Sequence, residues 1–253
     1  CQADPICEQV PVPAVAHDTV SLRCWDQKRR FGADLLYPVA RYANAFTRPR
    51  IDPKRRDLAP KDDASAVDNP LVAGRPPGLV YFAGIVGVPW QAIARKNAAG
   101  DPDIELGYLT QRELAATGLF AALAGDPDGY APPTDPFMIE SVEPRTGASE
   151  ILGAAPASPN AINGGDRSVS EALHRRGLQY ACTFDIEDVE GGPDCDECAV
   201  GPCDNPVCDG TLQTHAKALP GLRQLSLIQK MGDQGIAASV CPAISDPALK
   251  GTP

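Results

Sequence analysis

The 253-residue sequence contains no run of about 18 consecutive apolar residues, the length that a membrane-spanning helix requires. It also lacks the short motifs of common enzyme sites, since it has no His-Glu-x-x-His, no Gly-x-Ser-x-Gly and no glycine-rich phosphate loop. Its apolar share of 43% and charged share of 22% are ordinary for a globular protein. The sequence therefore offers no transmembrane segment and no catalytic residue, and it favours a binding protein over an enzyme.

Positive charge is missing from residues 177–216, which contain no Lys or Arg. Nine of the 33 acidic residues lie between Asp185 and Asp209, which leaves 24 elsewhere against 23 Lys and Arg, so the net charge of −10 is local. Because nucleic-acid phosphates need a basic face, we expect no nucleic-acid partner. The basic run RPRIDPKRR (48–56) contains Asp52 and two prolines, and it indicates a solvated loop.

Hydrophobic periodicity predicts strands that alternate with helices, as in an α/β fold. The run LVYFAGIVGV (79–88) is apolar on both faces and predicts a central strand of a sheet covered on both sides. Residues 178–186 alternate strictly and predict a second strand, and residues 236–241 predict the last one. The proline-rich stretches 1–20 and 47–78 predict an extended lead-in and a long surface loop.

Three helices carry recognisable start or stop signals. The first begins after Pro38, the second begins at a Thr-x-x-Glu capping box (110–113) and ends at Gly125, and the third begins after Pro220 and ends at Gly232. The residues predicted to face inward are Val39, Tyr42, Ala43 and Phe46 in the first, Leu114, Leu119, Phe120 and Leu123 in the second, and Leu222, Leu225, Ile228 and Met231 in the third.

Nine cysteines are too many for a typical reduced cytosolic domain of this size. They lie in two groups near the ends of the sequence, a distribution that indicates disulfides and hence an oxidising, extracytoplasmic compartment. If Cys1 is set apart, eight remain and four bridges can form. The disulfide candidates are Cys7, Cys24, Cys182, Cys195, Cys198, Cys203, Cys208 and Cys241.

The densest group is CDECAVGPCDNPVC (195–208), with the spacing C-x2-C-x4-C-x4-C. A structural zinc site usually has two C-x2-C knuckles a dozen or more residues apart, and this run has one. Carboxylates beside the thiols oppose loss of their protons, and no base is near in sequence to offset a four-thiolate zinc centre. Disulfides are therefore favoured, with a zinc site or reactive thiols as the alternatives.

Carboxylates in the same stretch give a further metal hypothesis, a calcium site. They lack the regular D-x-D-x-D-G spacing of a calcium loop, so a solvated acidic loop is the default interpretation and no metal is assigned. The candidate calcium ligands are Asp194, Asp196, Asp204 and Asp209.

Three segments occur in a recognisable order: SLRCWDQ…LYPVARYANAF, LVYFAGIVGVP and LPGLRQLSLIQKMGDQGIAASVC. Together they cover roughly a third of the chain, and their pattern resembles the C-terminal half of von Willebrand factor A-type (vWA) domains of bacterial surface proteins and lipoproteins. The matching residues are Cys24, Pro38, Arg41, Tyr42, Gly87, Pro89, Pro220, Arg223, Ser239 and Cys241.

The resemblance implies a vWA- or Rossmann-like fold, an open, mostly parallel sheet flanked by helices, with long irregular cystine-bearing loops. It also implies that the fold is incomplete, because the half that carries the family's metal site would lie upstream. A single α/β domain over 21–253 follows the 1–20 lead-in, with an insertion at about 97–215 that includes the acidic Cys-rich segment 182–209.

The adhesion metal site of the vWA family uses Asp-x-Ser-x-Ser directly after a buried strand. The string occurs here as Asp166, Ser168 and Ser170, but it follows the loop ASPNAINGG. A helix N-terminus capped by Asp166 or Ser168 is therefore the simpler interpretation, with metal ligation as the alternative. No cofactor is predicted, and calcium and zinc remain the alternatives.

The function that the resemblance implies is adhesion or protein interaction at a bacterial surface, with an unknown protein or cell-surface partner and no catalysis. The alternatives are a secreted metal-dependent enzyme and a zinc-binding interaction protein that uses the 195–208 cysteines. Cys1 followed by Gln2 is how a processed bacterial lipoprotein begins, so Cys1 is a candidate lipid anchor; a truncated chain that starts at Cys is the other interpretation.

Overall fold

The structure is a computed structural model, and it shows short strands that alternate with short helices, so the predicted α/β class is confirmed. The finer prediction of an open vWA-like sheet stays a prediction. None of the helices described combines the length and the apolar character needed to cross a bilayer. The structure describes residue 31 and residues 35–72, 74–129, 131–167, 177–192, 194–199 and 203–242.

The elements of the described residues are numbered in chain order. The strands are β1 (Arg50–Ile51), β2 (Val67–Asp68), β3 (Phe82–Val86), β4 (Ala94–Lys96), β5 (Pro102–Tyr108), β6 (Cys182–Glu190), β7 (Cys208–Asp209), β8 (Leu212–Ala218) and β9 (Gly235–Ser239). The α-helices are α1 (Val39–Thr47), α2 (Trp90–Ile93), α3 (Gln111–Ala116), α4 (Leu119–Ala124) and α5 (Leu222–Met231).

These strands form small sheets. β1 pairs antiparallel with β2, β4 pairs antiparallel with β5, and β8 lies between β6 and β7 with antiparallel pairing to both. β3 pairs with β9, and this pair is parallel. A parallel pair needs a crossover connection, and here the connection contains most of the other elements.

The chain divides into two compact units. Unit 1 contains the described parts of Cys1–Gly84, Thr110–Pro132 and Leu222–Ala237; unit 2 contains those of Ile85–Leu109, Pro133–Gly221 and Ala238–Pro253. The single domain predicted over 21–253 stays a prediction.

Helices α1 and α5 form a hydrophobic core in unit 1. Pro38 occupies the N-cap position of α1, and Val39 and Ala43 are buried one turn apart on the helix. They belong to the same buried cluster as Leu227 and Met231 of α5. The predicted start of the first helix and its inward residues Val39 and Ala43 are thus confirmed.

At the edge of this core, one of two residues predicted to face inward is exposed. Phe46 stacks on Phe82 with ring centroids 5.9 Å apart, so its predicted inward position is supported. Tyr42 is 43% exposed, and its predicted inward position is wrong. It lies at the margin of the narrow apolar stripe, where a ring with a polar hydroxyl can stay in water.

The capping box of the second predicted helix is present. The backbone N–H of Thr110 donates to the Glu113 carboxylate at 2.7 Å, and the Thr110 hydroxyl accepts from the Glu113 N–H at 3.3 Å. The single helix predicted up to Gly125 is wrong in its middle, because the chain forms two helices, α3 and α4. Gly118 separates them with a φ of 72°, a left-handed conformation that glycine adopts without steric cost.

The long loop 47–78 is held by buried polar side chains. Asn69 is 1% exposed, and its amide donates to the carbonyl oxygens of Ala45 and Arg48 at 2.7 and 2.8 Å. Asp52 of the basic run is also buried, so the run is not wholly solvated as predicted. The loop therefore follows a fixed path without regular secondary structure over most of its length.

Strand β3 is covered on one face only. Gly84 and Val86 are buried, whereas Tyr81 and Ile85 are 61% and 73% exposed. The prediction of a sheet covered on both sides is therefore wrong for this strand in the described residues. An apolar run indicates burial, but the number of neighbouring layers decides how many faces are buried.

In unit 2, the residues that follow β3 contact the end of β9 and the residue that follows β8. A Cβ atom on Gly87 would lie 1.8 Å from the carbonyl oxygen of Leu219, so only glycine fits there. The Ser239 hydroxyl donates to the Val88 carbonyl at 2.5 Å and accepts from the Cys241 N–H at 2.9 Å. These contacts fix the path of the chain beyond each strand.

A buried ion pair organises the irregular part of unit 2. The Arg145 guanidinium and the Asp166 carboxylate lie 2.6 Å apart, with side chains 1% and 0% exposed. Arg145 also donates to the carbonyl oxygens of Phe137 and Tyr180 at 2.7 and 2.6 Å, and the Asn163 amide donates to Asp166 at 3.0 Å. The charges and donors are therefore matched, as burial of an ion pair requires.

The Gln179 side chain adds two hydrogen bonds to the backbone next to this ion pair. Its amide donates to the Arg167 carbonyl at 2.8 Å and accepts from the Arg167 N–H at 3.1 Å, as a neighbouring strand would. The described residues 139–167 and 177–181 contain no helix or strand, so side chains replace the usual backbone ladders here.

Asp135 is a second buried carboxylate of unit 2. Burial raises the pKa of the Asp135 carboxyl, against hydrogen bonds from the Ser149 hydroxyl and the Phe137 N–H and the charge of Arg145, which lower it. The folded chain therefore holds a proton on this group to a higher pH than the unfolded chain does.

We expect Arg145→Ala to lower the free energy of unfolding by about 3 to 5 kcal/mol, because it leaves the Asp166 carboxylate buried without its partner. Chemical denaturation measures the change. The control is Arg112→Ala, which removes an ion pair to Asp233 whose side chains are 79% and 67% exposed, and it should cost less than about 1 kcal/mol. Equal losses for the two variants would contradict the structural role of the buried pair.

Asp135→Asn should change the pH dependence of stability. Because the folded pKa of Asp135 is raised, the unfolded chain loses this proton first, from about pH 4, and the native protein loses stability as the pH rises through the folded pKa. Asn cannot titrate, so the unfolding free energy of the native protein relative to that of the variant should fall as the pH rises above about 4. Urea denaturation at several pH values checks this, and a difference that rises with pH would contradict it.

Candidate functional site

Three disulfides lie in unit 2, so the prediction of disulfide-bonded cysteines is confirmed for the described residues. Each joins two of the predicted candidates. Cys1, the predicted lipid anchor, and the candidates Cys7 and Cys24 lie outside the described residues. The bonds are Cys182–Cys241, Cys195–Cys208 and Cys198–Cys203.

The Cys182–Cys241 disulfide spans 59 residues and links distant elements. Cys182 is the first residue of β6, and Cys241 follows the end of β9. Both residues are only 2% exposed, and Cys182 Sγ lies 3.5 Å from the Val88 carbonyl oxygen. In the alternating pattern of residues 178–186, Cys182 shares a face with Leu178 and Tyr180, which are also buried.

The other two disulfides form one compact group, here called the cystine cluster (Cys195, Cys198, Cys203 and Cys208). The Cys195 N–H donates to the Gly192 carbonyl at 2.8 Å, and the Cys198 N–H donates to the Cys195 carbonyl at 3.0 Å. The chain thus turns twice within a few residues. These turns bring the two disulfides together.

Asn205 holds the second half of the cluster. It is 3% exposed, its amide donates to the Asp194 carbonyl at 3.0 Å, and its oxygen accepts from the Tyr180 hydroxyl at 3.2 Å. The segments on either side of the cluster are therefore fixed independently of the sulfur bonds.

Within the described residues, three sulfur atoms form the one group of His, Cys, Asp or Glu ligand atoms close enough to share a metal ion. The Sγ atoms of Cys198, Cys203 and Cys208 lie within 4.8 Å of one another. In this structure each is bonded to another sulfur. A thiolate site for zinc, the alternative left open by the spacing, would require these bonds to be reduced first.

The carboxylates proposed as calcium ligands do not form a group of this kind. Asp196, Asp204 and Asp209 are exposed, and Asp194 contacts the ammonium group of Lys217. Lys217 lies on β8, outside the stretch without bases. The sequence argument missed this partner because the two residues are 23 positions apart and meet only through the sheet.

The vWA-like metal string has a different environment from the one the family uses. The carboxylate oxygens of Asp166 are contacted by Arg145 and Asn163, which gives this residue a structural role. Ser168 and Ser170, together with the rest of the predicted helix start, lie outside the described residues.

His215 is the one histidine among the described residues; His17 and His174 lie outside them. Its Nε2 atom is 3.1 Å from the Asp185 carboxylate, and its Nδ1 atom is 2.8 Å from the Thr214 hydroxyl. His215 and Asp185 are direct partners in the register of β6 and β8, which accounts for the contact.

Unit 1 carries an exposed aromatic and basic surface, here called the Tyr37 surface. Tyr37 is 49% exposed, and the guanidinium carbons of Arg41 and Arg56 lie 4.2 and 5.7 Å from its ring centroid. Leu35, which is 71% exposed, and Leu36 precede it. Aromatic residues and Arg are the types enriched in protein interfaces.

An open surface cavity of about 440 Å³ is lined by Pro38, which follows Tyr37 in sequence, and by Arg55, Arg56 and Asp57. The hydrogen bond from Arg55 lowers the pKa of the Asp57 carboxyl, and the same bond raises the pKa of Arg55. The lining therefore carries two positive charges and one negative charge. Because the cavity is open to solvent, it has room for a side chain of a partner but does not enclose a ligand.

The Tyr37 surface is anchored by hydrogen bonds from its own arginines. Arg41 donates to the carbonyl oxygens of Arg55 and Arg56 at 3.0 and 3.1 Å, and Arg56 donates to the Leu36 carbonyl. Arg223 of α5 donates to the Tyr37 carbonyl. Sequence reasoning missed this surface, because a basic run beside prolines carries no signal that its backbone is fixed.

Comparison with known proteins gives no assignment: no protein family, no curated protein and no solved structure matches this chain.

Removal of the Cys182–Cys241 disulfide by Cys182→Ala with Cys241→Ala should cost about 4 kcal/mol of unfolding free energy, because it releases a long loop in the unfolded chain. Cys198→Ala with Cys203→Ala removes a bond between cysteines with a sequence separation of 5 and should cost about 2 kcal/mol. Denaturant unfolding of both variants measures the two losses of unfolding free energy. A larger loss for the Cys198 and Cys203 variant would contradict the assignment of Cys182–Cys241 as the main covalent link.

Proposed function

We propose that this chain is an extracytoplasmic, vWA-like adhesion or protein-interaction module that acts by binding rather than by catalysis. Three disulfides within residues 182–241 support the extracytoplasmic location. Disulfides persist in oxidising compartments and are rare in the reducing cytosol. This is the observation that carries the proposal.

Residues that carry the vWA resemblance also make specific contacts. Gly87 fits where no side chain could, Ser239 bonds the Val88 carbonyl, and Cys241 is in a disulfide. Arg41 lies against the ring of Tyr37. These contacts give the residues structural roles in this chain, as conserved positions of a fold would have.

The Tyr37 surface is the binding site that we assign to this function. An exposed ring beside two guanidinium groups offers apolar area at low conformational cost. The N–H groups of Arg41 and Arg56 that are not bonded to backbone carbonyls can donate to carboxylates. The charged cavity beside the ring can take one acidic or amphipathic side chain. The partner that fits is a protein surface or peptide with an apolar or aromatic residue next to Asp or Glu.

Selection of a random-peptide display library on the immobilised, disulfide-intact chain tests the proposal without knowledge of the natural partner. We expect enriched peptides to pair acidic with apolar or aromatic residues. Tyr37→Ala should weaken their binding by about 2 kcal/mol, or about 30-fold in Kd, because it removes the central ring.

The matched control is Tyr81→Ala, which removes another exposed tyrosine of unit 1 and should leave Kd unchanged within about twofold. No enrichment, or enriched peptides that bind the Tyr37→Ala variant as well as the native chain, would overturn the assignment of this surface.

A further inference from the structure

The two disulfides of the cystine cluster differ in access to solvent. Cys195 is 1% exposed, whereas Cys198, Cys203 and Cys208 each retain some exposure. An external thiol can therefore reach the Cys198–Cys203 bond at either sulfur. The third disulfide of the described chain offers no such access, because both of its cysteines are 2% exposed.

The two disulfides are also within reach of each other. Cys208 Sγ, which belongs to the Cys195–Cys208 bond, lies within 4.8 Å of the Sγ atoms of Cys198 and Cys203. A thiolate formed from either of these two cysteines would face a disulfide sulfur. Attack of a thiolate on a disulfide sulfur is the elementary step of disulfide exchange.

We propose that the cystine cluster is a thiol–disulfide exchange site, in which an external dithiol opens Cys198–Cys203 and the exchange passes through Cys208 to the buried Cys195. The substrate class is a small-molecule or protein dithiol. This site is separate from the Tyr37 surface and does not depend on the binding function proposed above.

The dithiol is the reductant, and the relay consists of three successive thiol–disulfide exchanges. One dithiol thiolate attacks Cys203 Sγ, the Cys198–Cys203 bond breaks, and Cys198 leaves as a thiolate. The second thiol of the reductant then attacks the mixed disulfide, which releases Cys203 as a thiol and the reductant as its cyclic disulfide. The Cys198 thiolate attacks Cys208 Sγ, a Cys198–Cys208 bond forms, and Cys195 leaves and takes up a proton.

The backbone around the cluster favours the relay because it does not depend on the Cys198–Cys203 bond. Cys208 is paired with Gln213 in the β7–β8 ladder, and Asn205 bonds the Asp194 carbonyl. The Cys195 N–H bonds the Gly192 carbonyl. When the outer bond opens, these contacts keep the sulfur atoms near one another, so the internal attack competes with a second external one.

Limited reduction with one equivalent of dithiothreitol, acid quenching, alkylation and mass-spectrometric disulfide mapping tests the relay. We expect alkylated Cys195 together with a new disulfide that joins Cys208 to Cys198 or to Cys203. If Cys195 is never alkylated at this stage, or if the new disulfide is missing, the relay is overturned.

A kinetic comparison separates the relay from direct attack on Cys208. Cys198→Ser with Cys203→Ser removes the outer disulfide, and it should slow alkylation of Cys195 by about tenfold or more, because only bimolecular attack remains. An unchanged rate would overturn the proposal. The control, Arg112→Ala in unit 1, should leave the rate within about twofold of that of the native chain, since this exposed residue is no part of the relay.

The comparison needs a variant that keeps the inner disulfide. Mapping of the unreduced Cys198→Ser with Cys203→Ser protein establishes that Cys195–Cys208 has formed. If Cys195–Cys208 has not formed in this variant, disulfide mapping of the native chain after limited reduction is the test of the relay.

Discussion

The buried ion pair between Arg145 and Asp166 is the constraint on which unit 2 depends. A carboxylate and a guanidinium removed from water are costly unless each finds its full set of partners, and here carbonyl groups of Phe137 and Tyr180 and the amide of Asn163 complete the set. Around this pair, the described residues 139–167 and 177–181 contain no helix or strand to fix the chain. The ion pair therefore fixes the path of segments that hydrophobic burial alone would not hold in one position.

The disulfides act on the same unit by a different mechanism. A disulfide limits the unfolded chain, whereas the ion pair and its hydrogen bonds stabilise the folded one. Cys182–Cys241 joins β6 to the end of β9, next to the point where Gly87 passes the Leu219 carbonyl. The cystine cluster instead fixes a short acidic segment. A loop-rich protein outside the cytosol can obtain from such bonds the stability that a larger core would otherwise supply.

The two proposed sites use opposite chemistry and lie in different units. The Tyr37 surface offers an aromatic ring, guanidinium groups and a small cavity, which suit recognition of a partner. The cystine cluster lies in acidic sequence and offers sulfur bonds that an external thiol can reach. Because neither proposal draws on the other's residues, a failure of one leaves the other intact.

Local signals in the sequence were sufficient for local structure. The capping box at 110–113 and the close cysteines of 195–208 act over a few residues, so the sequence by itself determined a helix start and the disulfide-rich character of the chain. Only the tertiary structure decided that Asp166 would pair with an arginine, that Lys217 would reach the acidic segment, and that Ile85 would be exposed. The physical reason is that charge pairing and burial depend on which distant segments meet, and a residue's type does not specify its neighbours.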